Sequence, residues 1–367
     1  MIYNKYTKKL KKLLNNIPKY NYNDYSIVIF GTGNTSVLYQ KCFENEGIKP
    51  VYYLDNNESK QGNTFHGVQI ISINRLNELQ SNFNKPIIIL ICSTNILTCF
   101  EIQKQLNEYR FKYSKIDAFI FSNNKEKLLS VMEMLEDDFS KEVYYNMINS
   151  RINNLPVNEK IVNFEQYFTL PQFLKRSENE IFLDIGAYVG DTIEIYINKK
   201  SGVFKKIYAF EPDEKNYMAL KYRVERINKE WGLDFDKIEI INAGVGKETE
   251  KVHFTSQNEN NSRIGGSFSN DINNDSKEVT IYSLDDYFKE QKVSFIKADI
   301  ESYELDMLKG AENVIKRDKP LLYVCIYHNA SDMFTIPLFL KSVCSEYKIK
   351  IRQLVFDCAE TIMYAYI

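Results

Sequence analysis

Two segments of this 367-residue chain place glycines and acids where a nucleoside can be held. In one, the apolar Ile181-Phe182-Leu183 runs into Asp184-Ile185-Gly186-Ala187-Tyr188-Val189-Gly190. A strand feeding a glycine turn and then a helix puts these residues at a sheet edge, and Gly186 and Gly190 admit a ligand where a Cβ would collide with it. The next apolar run ends in Phe210-Glu211-Pro212, so Glu211 stands beside the turn, positioned to accept from the two hydroxyls of a ribose. The turn lacks the third glycine of a dinucleotide fingerprint, and Asp184 and Asp191 would repel pyrophosphate. A zwitterionic sulfonium such as S-adenosylmethionine tolerates these acids, and its ammonium group needs an acceptor.

The other segment is Gly31-Thr32-Gly33-Asn34-Thr35-Ser36, with Ser36 where the fingerprint needs a small residue and Asp55 at about the expected distance beyond. Gly31, Gly33 and Asp55 thus form a second candidate nucleotide site. Three readings compete for it: a nucleotide-linked acceptor, NAD, or a fold kept for assembly with no ligand.

These turns need sheets behind them. Ser26–Phe30 and Val51–Leu54 read as buried strands of a βαβ unit, with further strands expected at Gly67–Ile71, Ile87–Cys92 and Ile116–Phe121. A second alternation places strands at Ile181–Asp184, Lys206–Phe210, Ile238–Asn242, Val293–Ala298 and Leu321–Tyr327. Ile349–Phe356 and Thr361–Ile367 are so close that they must form an antiparallel hairpin, and a reversed strand of this kind marks the class I methyltransferase sheet. The fold class is therefore α/β with two Rossmann-like domains. An amphipathic helix occupies residues 1–22, the first domain 23–123, a helical connector 124–178 and the second domain 179–367. The Asn-, Ser- and Gly-rich stretch from Thr255 to Glu278 reads as a loop, either a lid over a substrate or a tolerated surface insertion.

Lys+Arg 47 against Asp+Glu 49 leaves a net charge of −2, so no overall field draws phosphate backbones, and nucleic acid is not expected as a partner. No apolar run approaches the ~18 residues of a membrane span, and the N-terminus lacks signal-peptide order, so the expected location is cytoplasmic. In the first helix, Ile2, Tyr6, Leu10, Leu13, Leu14 and Ile17 form a stripe among lysines. Such a stripe either touches an anionic membrane peripherally or packs on a neighbouring domain or a second subunit of a homo-oligomer. Six scattered cysteines without Cys-x-x-Cys spacing are expected to be reduced.

Asp184 to Gly190, Glu211-Pro212, Leu284-Asp285-Asp286, Ile296-Lys297-Ala298-Asp299-Ile300-Glu301, Glu304, Leu308 and Gly310-Ala311 together resemble the FkbM family of methyltransferases, across residues 160 to 367. Tyr327-His328 followed by Asp332 and Ile336-Pro337 resembles its bacterial sugar-modifying branch. The resemblance implies an S-adenosylmethionine-dependent O-methyltransferase acting on a sugar hydroxyl in surface polysaccharide or glycolipid synthesis. Its acceptor is then a nucleotide-linked, lipid-linked or polymeric carbohydrate. It places Asp184, Gly186, Ala187 and Gly190 around the methionine part, Glu211 on the ribose, Ala243 and Gly244 near adenine, and Asp299 facing the amino group or the acceptor. Gln166-Tyr167-Phe168 would close over the cofactor. Ser302 departs from the family, which has glycine after the acid. The first domain, through Leu54-Asp55-Asn56-Asn57, Gln61-Gly62 and Phe65-His66-Gly67-Val68, is similar to the Rossmann-like domains of sugar-nucleotide acyltransferases and related enzymes.

A sugar hydroxyl is a poor nucleophile at neutral pH, so a base helps. His328, after the fifth strand of the second sheet, is the first candidate, with Asp299 the second. Asp299, Glu301 and His328 could instead bind a divalent metal, but acids after a strand more often serve hydrogen bonds, so no metal is assigned. His66 and His253 are expected on surface or loops. The rival enzyme is an NAD-dependent sugar-nucleotide oxidoreductase or epimerase working from the first domain; the non-enzymatic rival is an assembly protein.

Overall fold

A computed structural model describes residues 5–163, 168–255, 267–269 and 276–367. The chain forms two units. The first comprises Met1–Ile161, Tyr327–Phe334 and Phe356–Ala359, and the second Val162–Ile326, Thr335–Val355 and Glu360–Ile367.

In the first unit a six-stranded sheet has the order β3-β4-β2-β1-β5-β6, built from β1 (Ser26–Phe30), β2 (Tyr52–Leu54), β3 (Thr64–Phe65), β4 (Val68–Ile71), β5 (Ile87–Ile91) and β6 (Tyr113–Lys115). All pairs are parallel except β3 with β4. The β-branched runs of β1 and β5 are buried, as central parallel strands covered on both faces must be. The helices are α1 (Lys5–Asn16), α2 (Asn34–Leu38), α3 (Gln40–Glu46), α4 (Ile73–Leu79), α5 (Ile96–Glu108), α6 (Ile116–Asn123), α7 (Lys125–Met134) and α8 (Asp138–Asn153). Asn95 caps α5 by accepting from the Thr98 N–H at 3.0 Å, and Asp137 caps α8 by accepting from Ser140 N–H at 2.6 Å.

Two expectations change here. The run Ile116–Phe121 is helix α6, not a strand; only Tyr113–Lys115 pairs with β5. Every residue from Ile116 to Ser122 is buried, and an apolar run buried all round carries no period to separate strand from helix. Leu10 and Leu14 of α1 and Ile17 just beyond it are buried, α1 lies against α7 and α8, and the Tyr6 ring pairs with Tyr145 of α8. The stripe therefore packs within the unit. No described helix is long and apolar enough to cross a membrane.

The second unit has a seven-stranded sheet of order β16-β17-β15-β14-β7-β8-β9 and a four-stranded sheet of order β10-β13-β11-β12. The strands are β7 (Ile181–Ile185), β8 (Lys206–Phe210), β9 (Ile238–Ile241), β10 (Gly244–Val245), β11 (Glu250–Thr255), β12 (Ser267–Ser269), β13 (Ser276–Tyr282), β14 (Phe295–Ala298), β15 (Leu321–Cys325), β16 (Lys348–Gln353) and β17 (Thr361–Tyr366). The helices are α9 (Pro171–Leu174), α10 (Asp191–Lys200), α11 (Glu214–Trp231), α12 (Leu284–Tyr287), α13 (Glu304–Lys309), α14 (Glu312–Asp318) and α15 (Asp332–Val343), which continues from the first unit's segment. Strands β7, β8, β9, β14 and β15 run parallel, and β17 is antiparallel to both β15 and β16. The expected hairpin is thus present, and this strand order with one reversed strand is the class I methyltransferase sheet. Both units are built on α/β sheets, as expected. A ring cluster of Phe168, Phe173, Phe182, Tyr196 and Phe295 fills the core between β7, β14 and α10.

The four-stranded sheet was not anticipated. The stretch Thr255–Glu278, read as a single loop, contains β12 and the start of β13, which pair with β11. Its remaining residues lie outside the described ones, so the lid reading does too. Likewise Gln166 and Tyr167 lie outside, while Phe168 is a core ring. His253 lies in β11, half-buried, and His66 in the exposed turn between β3 and β4. All six cysteines are free thiols.

Candidate active site

Parallel register sets the second unit's site. Asp184 and Ile185 end β7, Phe210 ends β8 opposite Ile185, and Ala298 ends β14 opposite Ile185. The Gly186 turn, Glu211 and Asp299 therefore emerge at one carboxyl edge, where open α/β sheets hold ligands.

The turn is tied down by its own amides. Gly186 and Ala187 N–H both donate to Phe210 O at 3.0 Å, Gly190 N–H to Ala187 O at 2.8 Å, and Tyr188 N–H to Glu211 Oε2 at 2.8 Å. With these donors spent inside the protein, the turn presents few N–H groups to a phosphate, which is what a dinucleotide site must present. Its remaining polar capacity is acceptor capacity, suited to hydroxyls and cations.

The glycines have another reason than the expected one. Gly186 has φ +74° and a Cβ there would lie 2.0 Å from Asp299 O; at Gly190, φ +83°, it would lie 2.8 Å from Leu220 Cδ1. The close approach that the structure shows is to the chain itself, to the end of β14 and to α11.

Glu211 is nearly buried and accepts from Asp213 N–H at 3.0 Å as well as from Tyr188. Burial pushes its carboxyl up to about 7, against the lowering pull of the Asp213 and Tyr188 N–H groups and the Asn216 side chain. Asn242 Nδ2 donates to the carbonyls of Glu211 at 2.9 Å and Pro212 at 3.2 Å, pinning this backbone. Asp213 also caps α11, accepting from Asn216 N–H at 3.0 Å. Ala243 is buried and Gly244 opens β10 beside Ile281, so both follow β9 at the same edge.

Asp184 is fully buried. Burial raises its carboxyl to about 6 although Lys297 beside it pulls the other way, through a 3.0 Å ion pair. A solvent-inaccessible carboxylate cannot touch the methionine part directly, which corrects the expected contact. Lys297 is the residue that sequence reasoning quoted without a role; nothing in Phe295-Ile296-Lys297-Ala298 shows which strand it faces until β14 is registered on β7.

Several signature residues are structural. Asp285 accepts from Asn313 N–H at 3.0 Å and Val314 N–H at 2.8 Å, capping α14 from a distance. Glu304, fully buried, accepts from Ile300 N–H at 2.8 Å. A Cβ on Gly310 would meet Gly246 O at 2.1 Å. Ser302, in place of glycine, has φ +78° and follows Glu301 at φ +54°. That conformation costs a non-glycine residue about 1 kcal/mol or more. Ser302→Gly should therefore raise stability by about 0.5 to 1 kcal/mol after the greater freedom of unfolded glycine is deducted; the urea midpoint of Trp231 fluorescence, from the one tryptophan, reads this.

Asp299 is half-buried at the end of β14, its N–H donating to Ile185 O at 3.1 Å. Glu304, rather than Glu301, brings a carboxylate oxygen within 4.8 Å of that of Asp299. His328 is buried in the segment Tyr327–Phe334, which belongs to the first unit. There Asn329 N–H and Nδ2 donate to Asp332 Oδ2, and Ser331 N–H donates to Asn329 Oδ1 at 2.9 Å, forming a compact turn.

The first unit's candidate site is already filled by its own groups. Gly31 N–H donates to Leu54 O, and a Cβ at Gly31, φ +117°, would lie 2.8 Å from Cys92 O. Asp55 accepts from Thr32 N–H at 3.2 Å, from the Thr32 hydroxyl, from Asn57 N–H at 2.9 Å and from Lys60 Nζ at 3.2 Å. Three of those bonds fall on Oδ2 and one on Oδ1, so Oδ2 is fully used. Burial opposes its ionisation, yet the Thr32, Asn57 and Lys60 bonds outweigh it and hold Asp55 below the ordinary range. Asp55 thus keeps acceptor capacity on Oδ1 alone, beside the Asn57 N–H, while its Oδ2 serves Thr32 and Lys60. Gly33 is open, with nothing near its would-be Cβ.

Residues 184–358 match the family model described as the methyltransferase FkbM domain. Over 98% of both chains the fold is similar to the methyltransferase FkbM of Methylobacillus flagellatus, at 18% identity and TM-score 0.58. An rRNA methylase from Streptococcus thermophilus matches 53% of this chain and 90% of its own, at 14% identity and TM-score 0.34. Aeropyrum pernix fibrillarin, solved with bound S-adenosyl-L-methionine, matches 52% of this chain and 67% of its own, at 12% identity and TM-score 0.30. No curated protein matches the chain significantly. Within the second unit, residues 184–358 thus resemble a methyltransferase FkbM domain, for which S-adenosylmethionine would be the methyl donor. The residues present fit it: an acid with acceptor capacity at the end of β8, and a turn whose donors are spent.

Proposed function

We propose that this methyltransferase domain moves the methyl group of S-adenosylmethionine to a hydroxyl of a carbohydrate, as an O-methyltransferase of surface polysaccharide or glycolipid synthesis. The observation that carries the donor half is the turn at Gly186, whose N–H groups are spent within the protein and beside which Glu211 stands as an acceptor. The Thr32 and Lys60 bonds that occupy Asp55 Oδ2 weigh against the NAD-dependent rival in the first unit. The carbohydrate half rests on the FkbM resemblance, including Tyr327-His328, Asp332 and Ile336-Pro337. The acceptor is a nucleotide-linked, lipid-linked or polymeric sugar.

When bound, the cofactor supplies an electrophilic methyl on sulfur. The chain's own residues then have three tasks. Glu211 accepts from the ribose, Ala243 and Gly244 border the base, and the turn's carbonyls face the methionine part. A general base takes the acceptor hydroxyl proton; His328 is proposed for this, with Asp299 orienting the acceptor or the amino group. Positioning supplies much of the remaining rate enhancement.

The test incubates full-length protein with S-adenosylmethionine labelled in the methyl group and a panel of nucleotide sugars and lipid-linked glycans. Alkali-stable label in the sugar is the expected result. Label absent from every carbohydrate while wild type binds S-adenosylhomocysteine would overturn the acceptor assignment. His328→Ala should lower turnover about a hundredfold or more, the usual weight of a general base, with S-adenosylhomocysteine affinity unchanged in calorimetry; an unaltered rate removes His328 as the base.

A further inference from the structure

Lys297 is buried in the middle of the second unit's sheet, on β14 opposite Asp184 of β7. Its ammonium group lies 3.0 Å from Asp184 Oδ1 and donates to Gly186 O at 2.7 Å, with Ile185 O at 3.5 Å. One cation thus joins the last residues of β7 to the first residue of the donor turn. The same strand presses on that turn a second time, since Asp299 O occupies the space a side chain at Gly186 would need. The turn is therefore held from the β14 side through its carbonyl, as it is held from the β8 side through its N–H groups.

An ion pair buried this deeply is a poor device for stability, because desolvating both charges offsets their attraction and an apolar pair of similar volume serves as well. What an apolar pair cannot do is bond a carbonyl. We propose that Lys297 is a positioning residue of the donor turn: it fixes the Gly186 carbonyl, and Asp184 acts by holding Lys297 rather than by touching the ligand. The proposal rests on the reading that this turn receives the amino-acid part of S-adenosylmethionine. It explains why an acid with no accessible surface stands in the signature segment, and why a lysine is tolerated beneath a site for a sulfonium: the pair presents no net charge.

The two halves of the cofactor separate this role from a general structural one. S-adenosylhomocysteine carries the amino-acid part, while 5′-methylthioadenosine carries the nucleoside alone and relies on Glu211. Calorimetry on the full chain compares both ligands in wild type, Lys297→Met and the double variant Asp184→Asn with Lys297→Met. The double variant leaves no buried charge unpaired, so it stays informative where the single variant fails to fold. The expected result is a loss of about tenfold or more for S-adenosylhomocysteine, with 5′-methylthioadenosine within a factor of about three. Equal losses for both ligands would make Lys297 merely structural and overturn the proposal, as would unchanged affinity for both. Wild type that binds neither ligand would sink the donor reading itself, and the proposal with it.

Discussion

Glu211→Ala should abolish cofactor binding, weakening S-adenosylhomocysteine and 5′-methylthioadenosine alike by about a hundredfold, since charged acceptor bonds to two hydroxyls are lost together. The fold should survive. Glu211 holds the Tyr188 and Asp213 N–H groups and the Asn216 side chain, all at the sheet edge where water can replace it. Calorimetry with circular dichroism checks both halves, and retained tight binding would contradict the ribose role. A pH dependence accompanies this. Because burial raises the carboxyl to about 7, the ionised acceptor is in the minority at pH 6 and dominant at pH 8. Affinity for 5′-methylthioadenosine, which has no amino group to titrate, should rise about tenfold over that interval. The sign for stability is opposite. The folded carboxyl binds a proton that the unfolded one, at 4.5, has released, so this group's contribution to stability falls as pH rises from about 4.5 through about 7. Glu211→Gln should flatten both profiles.

Arg151→Ala should be the most damaging single change in the first unit, at about 3 to 5 kcal/mol. The guanidinium of this α8 residue donates through Nε to Asp117 Oδ2 of α6 at 3.1 Å, and through its terminal nitrogens to Tyr39 Oη and Tyr327 O, each at 2.9 Å. Tyr39 Oη donates in turn to Asp117 Oδ1, and Lys115 Nζ donates to Arg151 O at 2.8 Å. All four side chains are buried. Removing the arginine strands the Asp117 carboxylate and frees the Tyr327 carbonyl, whereas Arg151→Met combined with Asp117→Asn removes both charges and should recover much of the loss. Hydrogen exchange of the α6 and α8 amides reads the difference; equal protection in wild type and Arg151→Ala would show that the network contributes nothing.

Much of this was legible from periodicity and spacing. Strands Ser26–Phe30 and Lys206–Phe210 were expected at their observed limits, and the hairpin of β16 with β17 followed from the short gap between two apolar runs. Glu211 beside the turn could be expected because consecutive parallel strands end at one edge. What stayed hidden depends on partners rather than patterns. The helix at Ile116 was invisible because burial on every side erases the amphipathic period. The engagement of Asp55 Oδ2 needed the positions of Thr32 and Lys60, and the pairing of Lys297 needed the strand register. The αL turn at Ser302 could be suspected from the family's glycine, but its φ could not be read from the residue present.

Strand β17 lies between β15 and β16, although it is made last of the three. On the ribosome, β15 and β16 emerge with the intervening slot vacant, and neither can close its edge hydrogen bonds on the other. Loop-closure entropy spanning from Cys325 to Ile362 must be overcome before that slot fills. Until then both strands carry open apolar edges, which invite pairing with other nascent chains. This makes residues 361–366, all buried in the finished sheet, the step at which synthesis and the competition between folding and aggregation meet.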